Sequence, residues 1–223
     1  MNIPILAASD YGLVIASVFV LFFFVIIGWV IMQGTRAQMY WRDQVDDGDV
    51  EIINMLVAEE VSRWRTMRMP KGLEPGTWHG VQGVELLEVK PDGVRLSTTA
   101  EGQYAMVAGQ RQQVSGALAE GMKVTAKVAD MALYDIPNVK LPWVQVDIYS
   151  TYRNDDGSSQ RCILSTTARR EIADDLDWDG LEAEAVVQAF GGRYLLDDRG
   201  NALPIEPDGG EAISVPAAFY TDN

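Results

Sequence analysis

From Asp10 to Arg36 the chain carries no charged side chain between the two, and Tyr11 to Met32 form a nearly continuous apolar run of 22 residues. Coiled as a helix at about 1.5 Å per residue, such a run measures roughly 33 Å, enough to cross about 30 Å of bilayer hydrocarbon. No Lys or Arg precedes it, and the polar exit Gln33-Gly34-Thr35-Arg36 stands where a signal peptide would carry a small-residue cleavage site. The pattern therefore predicts a retained transmembrane helix over 11–33, with Tyr11 and Trp29 as interfacial aromatics. The ten residues before it hold no base, whereas Arg36, Arg42, Arg63, Arg65, Arg68 and Lys71 follow it. The positive-inside rule then places the N-terminal tail, 1–10, outside an inner (cytoplasmic or intracytoplasmic) membrane and the rest in the cytoplasm.

After the span the period changes twice. A polar connector over 34–48 leads to Val50, Ile53, Val57, Val61 and Trp64, which form one stripe of an amphipathic helix. Asp47 or Asp49 would cap its start, and Pro70 and Gly72 would stop it, so 34–75 reads as connector plus helix. From Thr77 the period becomes two. Val84 to Thr99 around Pro91-Asp92-Gly93, and Trp143 to Ser165 around Asn154-Asp155-Asp156-Gly157, predict two hairpins. In the second, Val144, Val146 and Ile148 alternate with Gln145, Asp147 and Tyr149, which predicts one core face and one wet face. Short strands are expected at 122–128, 181–187, 192–196 and 202–205. Residues 111–128 align without gaps with 170–187, each after a hairpin, which suggests a tandem repeat. The predicted fold is a single N-terminal transmembrane helix, one amphipathic helix and a mainly β cytoplasmic region. That region comprises two small barrel- or sandwich-like modules, 76–130 and 131–206, followed by a tail, 207–223.

Composition narrows the chemistry. With 32 acids against 18 bases, a net charge of −14, one cysteine and one histidine, the chain is not a disulfide scaffold, a Cys/His zinc module or a basic nucleic-acid binder. A triad or His-ligated centre would need His79, which lies in Gly76-Thr-Trp-His-Gly80 without any nucleophile motif. Cys162 has no second cysteine to pair with, and no glycine-rich phosphate loop is present. Asp175, Asp177 and Asp179, followed by Gly180, match the first half of a calcium loop, but Val186 occupies the twelfth position where a bidentate Glu belongs. A solvated acidic turn accounts for the same residues. The span contains no His, Asp, Glu, Lys or Arg, so it supplies neither a proton relay nor an axial ligand for haem or chlorophyll, and no cofactor is expected.

The aromatic residues exceed what two small modules need inside, which assigns some of them to contacts with partners. Phe22, Phe23, Phe24, Gly28 and Trp29 in the span, Tyr40 and Trp41 at the membrane surface, and Trp64 and Trp78 beyond it are the candidate interface residues. Partners would then be the lipid bilayer and other integral membrane subunits, with no nucleic acid. An Asp before the span, the aromatic helix with Phe22 to Phe24, and the exit Met32-Gln33-Gly34-Thr35-Arg36-Ala37-Gln38-Met39-Tyr40 resemble the start of the H subunit of purple-bacterial photosynthetic reaction centres. The resemblance rests on Asp10, Phe22 to Phe24, Gln33, Arg36 and Tyr40 and stops there. The family's proline-rich stretch and barrel domain are not matched, so its quinone-side proton uptake does not carry over. It implies a similar placement: a non-catalytic accessory subunit bracing a reaction centre and its antenna from the cytoplasmic side. A component of a cell-envelope or secretion machine, and an anchored calcium-responsive module, share the topology and are the alternatives.

Overall fold

The computed structural model describes residues 6–107, 109–154, 157–178 and 180–207. Its first element is one long apolar helix, α1 (Leu6–Asp46), whose 41 residues run about 60 Å at 1.5 Å per residue. The expected connector over 34–48 is thus helical almost to its end: no Gly-Pro break or turn motif interrupts it until Gly48, which takes φ +76°. That positive φ suits a glycine and redirects the chain into α2 (Val50–Thr66). Asp49 caps α2 by accepting from the backbone N–H groups of Glu51 at 3.0 Å and Ile52 at 3.2 Å. Four of the five stripe positions are buried, Ile53, Val57, Val61 and Trp64, while Val50 at the helix start is exposed.

A short helix α3 (Pro75–Gln82), with proline in its first turn, precedes the strands β1 (Glu85–Lys90) and β2 (Gly93–Thr99). A second hairpin, β3 (Gln103–Val107) and β4 (Gln110–Ser115), leads to α4 (Ala117–Tyr134), and then β5 (Trp143–Asn154) and β6 (Gly157–Arg169) form the longest hairpin. The chain closes with α5 (Arg170–Ala173), α6 (Ala183–Ala189) and the two-residue strands β7 (Leu195–Leu196) and β8 (Ala202–Leu203). The part after α3 is mostly sheet, distributed over one four-stranded and two two-stranded sheets.

The four-stranded sheet has the order β1-β2-β5-β6, and β2 pairs with β5 in parallel. Parallel neighbours need a long crossover, and here β3, β4 and α4 supply it. Val94, Leu96, Val144, Val146, Ile148 and Leu164 line the sheet face that belongs to the core. Helix α4 packs there, buried through Met122, Val124, Thr125, Val128, Ala129, Met131 and Ala132. Gly121 lets its backbone approach Ile148: a Cβ there would sit 3.0 Å from Ile148 Cγ2. One turn further along α4, a Cβ at Gly80 would lie 2.5 Å from Val124 Cγ2, so α3 and α4 also cross closely. Val45, near the end of α1, is buried in the same core.

Several expectations change here. Residues 122–128 are helical in α4 and 183–187 in α6, with Leu181 and Glu182 leading into α6, rather than strands. Their β-branched residues suit a sheet locally, but the spacing of buried positions in α4 fits a helix laid on the sheet. The gap-free alignment of 111–128 with 170–187 sets strand β4 against helix α5 at its start, and only the ends, 124–128 and 183–187, share a helical structure. Strands from 76–130 and from 131–206 join in one sheet, which makes a single body of the two expected modules, and that sheet is open rather than a barrel. The hairpins at Val84–Thr99 and Trp143–Ser165 stand where expected, and β7 and β8 fall within the expected strands 192–196 and 202–205, while β3–β4 lies in a stretch that carried no strand expectation.

Candidate functional site

Helix α1 presents the first candidate surface. Its window from Ile15 to Arg36 is long and apolar enough to cross a membrane, and none of it is buried by the other described residues. Phe22, Phe23, Phe24 and Trp29 are all exposed, as is Tyr40. Nothing lies within 4 Å of a Cβ built on Gly28, so that face of the helix is open. The side chain of Trp41 is outside the described residues. Trp64 and Trp78, by contrast, are core residues and not interface aromatics. Trp64 donates its indole N–H to Glu60 Oε1 at 2.8 Å, and Glu60 is held in turn by Arg63 at 3.0 Å. Helical spacing toward the sheet buries Trp64, and the turn of α3 packed against α4 buries Trp78.

The acidic turn after α5 uses its carboxylates for local structure. Asp177 Oδ1 accepts from the N–H of Gly180 at 3.1 Å, and Asp177 O accepts from Leu181 at 3.1 Å. Asp175 is exposed, Asp179 is outside the described residues, and Val186 is buried in α6. Among the described residues no three metal-ligating side chains cluster. His79 is exposed on α3 rather than lying in a loop between glycines. Cys162 is buried mid-strand, and burial, with Asp147 nearby, pushes its thiol up to about 11. A thiol so raised is neutral at physiological pH and a poor nucleophile.

The structure adds one constellation that the alternation of β5 misassigns. Gln145 and Asp147, expected on a wet face, are buried, and the Asp147 side chain is 0% exposed. Arg95 on β2 donates Nε to Asp147 Oδ2 at 2.6 Å; Ser165 on β6 donates to Oδ1 at 2.6 Å, and Gln145 Nε2 reaches Oδ1 at 3.0 Å. Three adjacent strands are thereby tied through one carboxylate. Its charge is matched by a guanidinium and both oxygens are occupied, which satisfies the condition for burying an ion at all. A carboxylate held this way fixes strand register; a working base needs a free lone pair facing a substrate. The available signal was an Asp, a Gln and an Arg on neighbouring strands, but only the parallel pairing of β2 with β5 brings Arg95 beside Asp147.

A second polar knot sits at the base of β3–β4. Glu120, on the first turn of α4, accepts from Gln103 at 2.6 Å and from Lys123 at 3.1 Å, and Lys123 also reaches Glu74 at 2.7 Å. Burial alone would raise the Glu120 carboxyl, but hydrogen bonds from Ser115, Lys123 and Gln103 outweigh it and hold it below the ordinary value. The groove of about 570 Å³ beside it, between α3, α4 and α6, is lined by Lys123 and Lys127. Both lysines are already paired, Lys127 with Asp130 at 2.7 Å. Comparison of the chain with protein-family models, curated proteins and solved structures yields no match.

Proposed function

We propose that this chain is a single-pass membrane protein that works as a non-catalytic accessory subunit. Its body would brace a larger membrane-protein complex from the cytoplasmic side, in the manner of a subunit of a photosynthetic reaction centre–antenna assembly. The observation that carries this reading is the bare Ile15–Arg36 window. Each large apolar side chain left in water forgoes about 1.5–3 kcal/mol relative to burial, so the whole run would forgo tens of kcal/mol unless lipid or other helices surround it. A helix apolar on every side is a core helix or a span, and the described residues supply no core around this one. Beyond the span, α1 continues from Gln33 to Asp46, about 21 Å at 1.5 Å per residue. That length exceeds a headgroup layer of roughly 5–8 Å, so an upright helix holds the acidic body clear of anionic lipid and level with the protruding surfaces of neighbouring subunits.

The test is purification of the tagged full chain in mild detergent, followed by an absorption spectrum and identification of what accompanies it. Co-purification of a pigmented complex is the expected result. A colourless complex would move the protein to an envelope or secretion machine, and a colourless monomer would remove the accessory role. Alkaline washing of membranes and protease added to intact cells check the topology: the chain should resist extraction and its body should stay uncut.

A further inference from the structure

We propose that the outer edge of β1, together with the groove between it and α2, is a docking site for an extended basic segment of a neighbouring membrane subunit. This deepens the accessory reading above and rests on it for the identity of the neighbour. Strand β1 ends the sheet order, so among the described residues no strand pairs with its outer side. Its outward N–H and C=O groups are a template for one more strand. The groove beside it measures about 490 Å³. Its apolar lining comes from the partly buried Leu86 and Val89 and the exposed Val50, and Leu87, at the register shift between Leu86 and Glu88, is half exposed at its lip.

Charge selects the occupant. Glu51 and Glu88 are the charged residues lining the groove, and no base lines it. Lys90, on the same strand, lies 3.8 Å from Glu88, a loose contact, and Arg65 is engaged with Val84 O at 3.1 Å beyond the strand's first residue. The charges that keep an edge strand from pairing indiscriminately therefore favour a cationic partner here. Position points the same way. A Cβ on Gly48 would lie 3.1 Å from Pro91 Cβ, so the α1–α2 turn abuts the β1–β2 turn, and the end of the groove formed by Val50, Glu51 and Val89 opens where α1 enters the body. On the cytoplasmic side of a membrane, the segments nearest the bilayer are the ones enriched in Lys and Arg. An extended loop of that kind would add backbone bonds to β1, place alternate apolar side chains in the groove and set its bases against Glu51 and Glu88.

The experiment uses the full chain in detergent micelles and fluorescence anisotropy of labelled eight-residue peptides that alternate valine with lysine, with glutamate, or with lysine on N-methylated alternate amides. The lysine peptide should bind at low salt. The glutamate peptide should bind at least tenfold more weakly, the N-methylated peptide at least fivefold, and E51Q/E88Q should weaken the lysine peptide at least fivefold while leaving the circular dichroism spectrum unchanged. Equal binding of the lysine and glutamate peptides, or indifference to N-methylation, would overturn the site; these arms use the unaltered chain and hold even if the double variant misfolds. Peptide binding by a chain that alkali strips from membranes would refute the membrane reading and leave the groove standing. The reverse pair of results would refute the groove alone.

Discussion

Two helices in this protein face the same problem and resolve it differently. Helix α4 has ten buried residues among its 18 and packs against β5, β6, α3 and α6, so its apolar face is satisfied within the chain. Helix α1 has an Ile15–Arg36 window that is apolar on every side until Arg36 and that no other described residue covers. One helix is stabilised by its own fold, and the other is long and apolar enough to cross a membrane. A body that closes its own core in this way has no need of α1 except at its end, where Val45 joins the cluster.

The sharpest way to break that contrast is to put the same charge into both helices. Arginine at Val128, which is fully buried, places an unpaired guanidinium in the core, and the body should unfold, a loss of more than about 4 kcal/mol seen as a collapsed thermal transition. Arginine at Val25 should leave that transition unmoved and cost roughly 2.5–3.5 kcal/mol of membrane insertion, read as material released by alkaline washing. If Val25→Arg lowered the melting temperature of the body as well, α1 would be part of the core and the division between the two helices would fail.

Smaller effects sharpen the picture of the body. Asp147→Ala strips the counter-charge from Arg95 and an acceptor from Ser165 and Gln145, for an expected loss of about 3–5 kcal/mol in denaturant unfolding. Gly80→Ala pushes a methyl group into Val124 and should cost about 1–3 kcal/mol. Glu120 gives the smallest and most specific signature. Its carboxyl is held below the ordinary value when folded, so its contribution is complete above the unfolded value of 4.5 and fades as pH falls from there through the folded value. Melting temperatures taken between pH 7 and pH 3 should therefore fall more steeply for the native chain than for Glu120→Gln over that acidic window. Parallel curves would mean that the knot of Gln103, Lys123 and Glu120 adds nothing to stability.

Much of this architecture is legible from residue order. The run before Arg36, the α2 stripe with its Asp49 cap, and the two hairpins about Pro91-Asp92-Gly93 and Asn154 to Gly157 all follow from local periodicity and turn chemistry. The failures fall where local preference and tertiary packing disagree. Met122 to Val128 carry residues at home in a strand, yet the space they fill, between the sheet and α3, accommodates a helix. Trp64 and Trp78 have the bulk of interface aromatics, but they face inward because their helices lie on the core.

Residue order by itself determined that an apolar rod leads the chain, that an amphipathic helix and antiparallel hairpins follow, and that the chain carries a net charge of −14, because each depends on composition or on neighbours within a few positions. Only the tertiary structure decided that strands 50 residues apart lie side by side, that Arg95 meets Asp147, and that β1 is left at an edge beside an apolar groove. Those outcomes depend on which surfaces can be buried together, a property of the assembled chain that no short window of sequence contains.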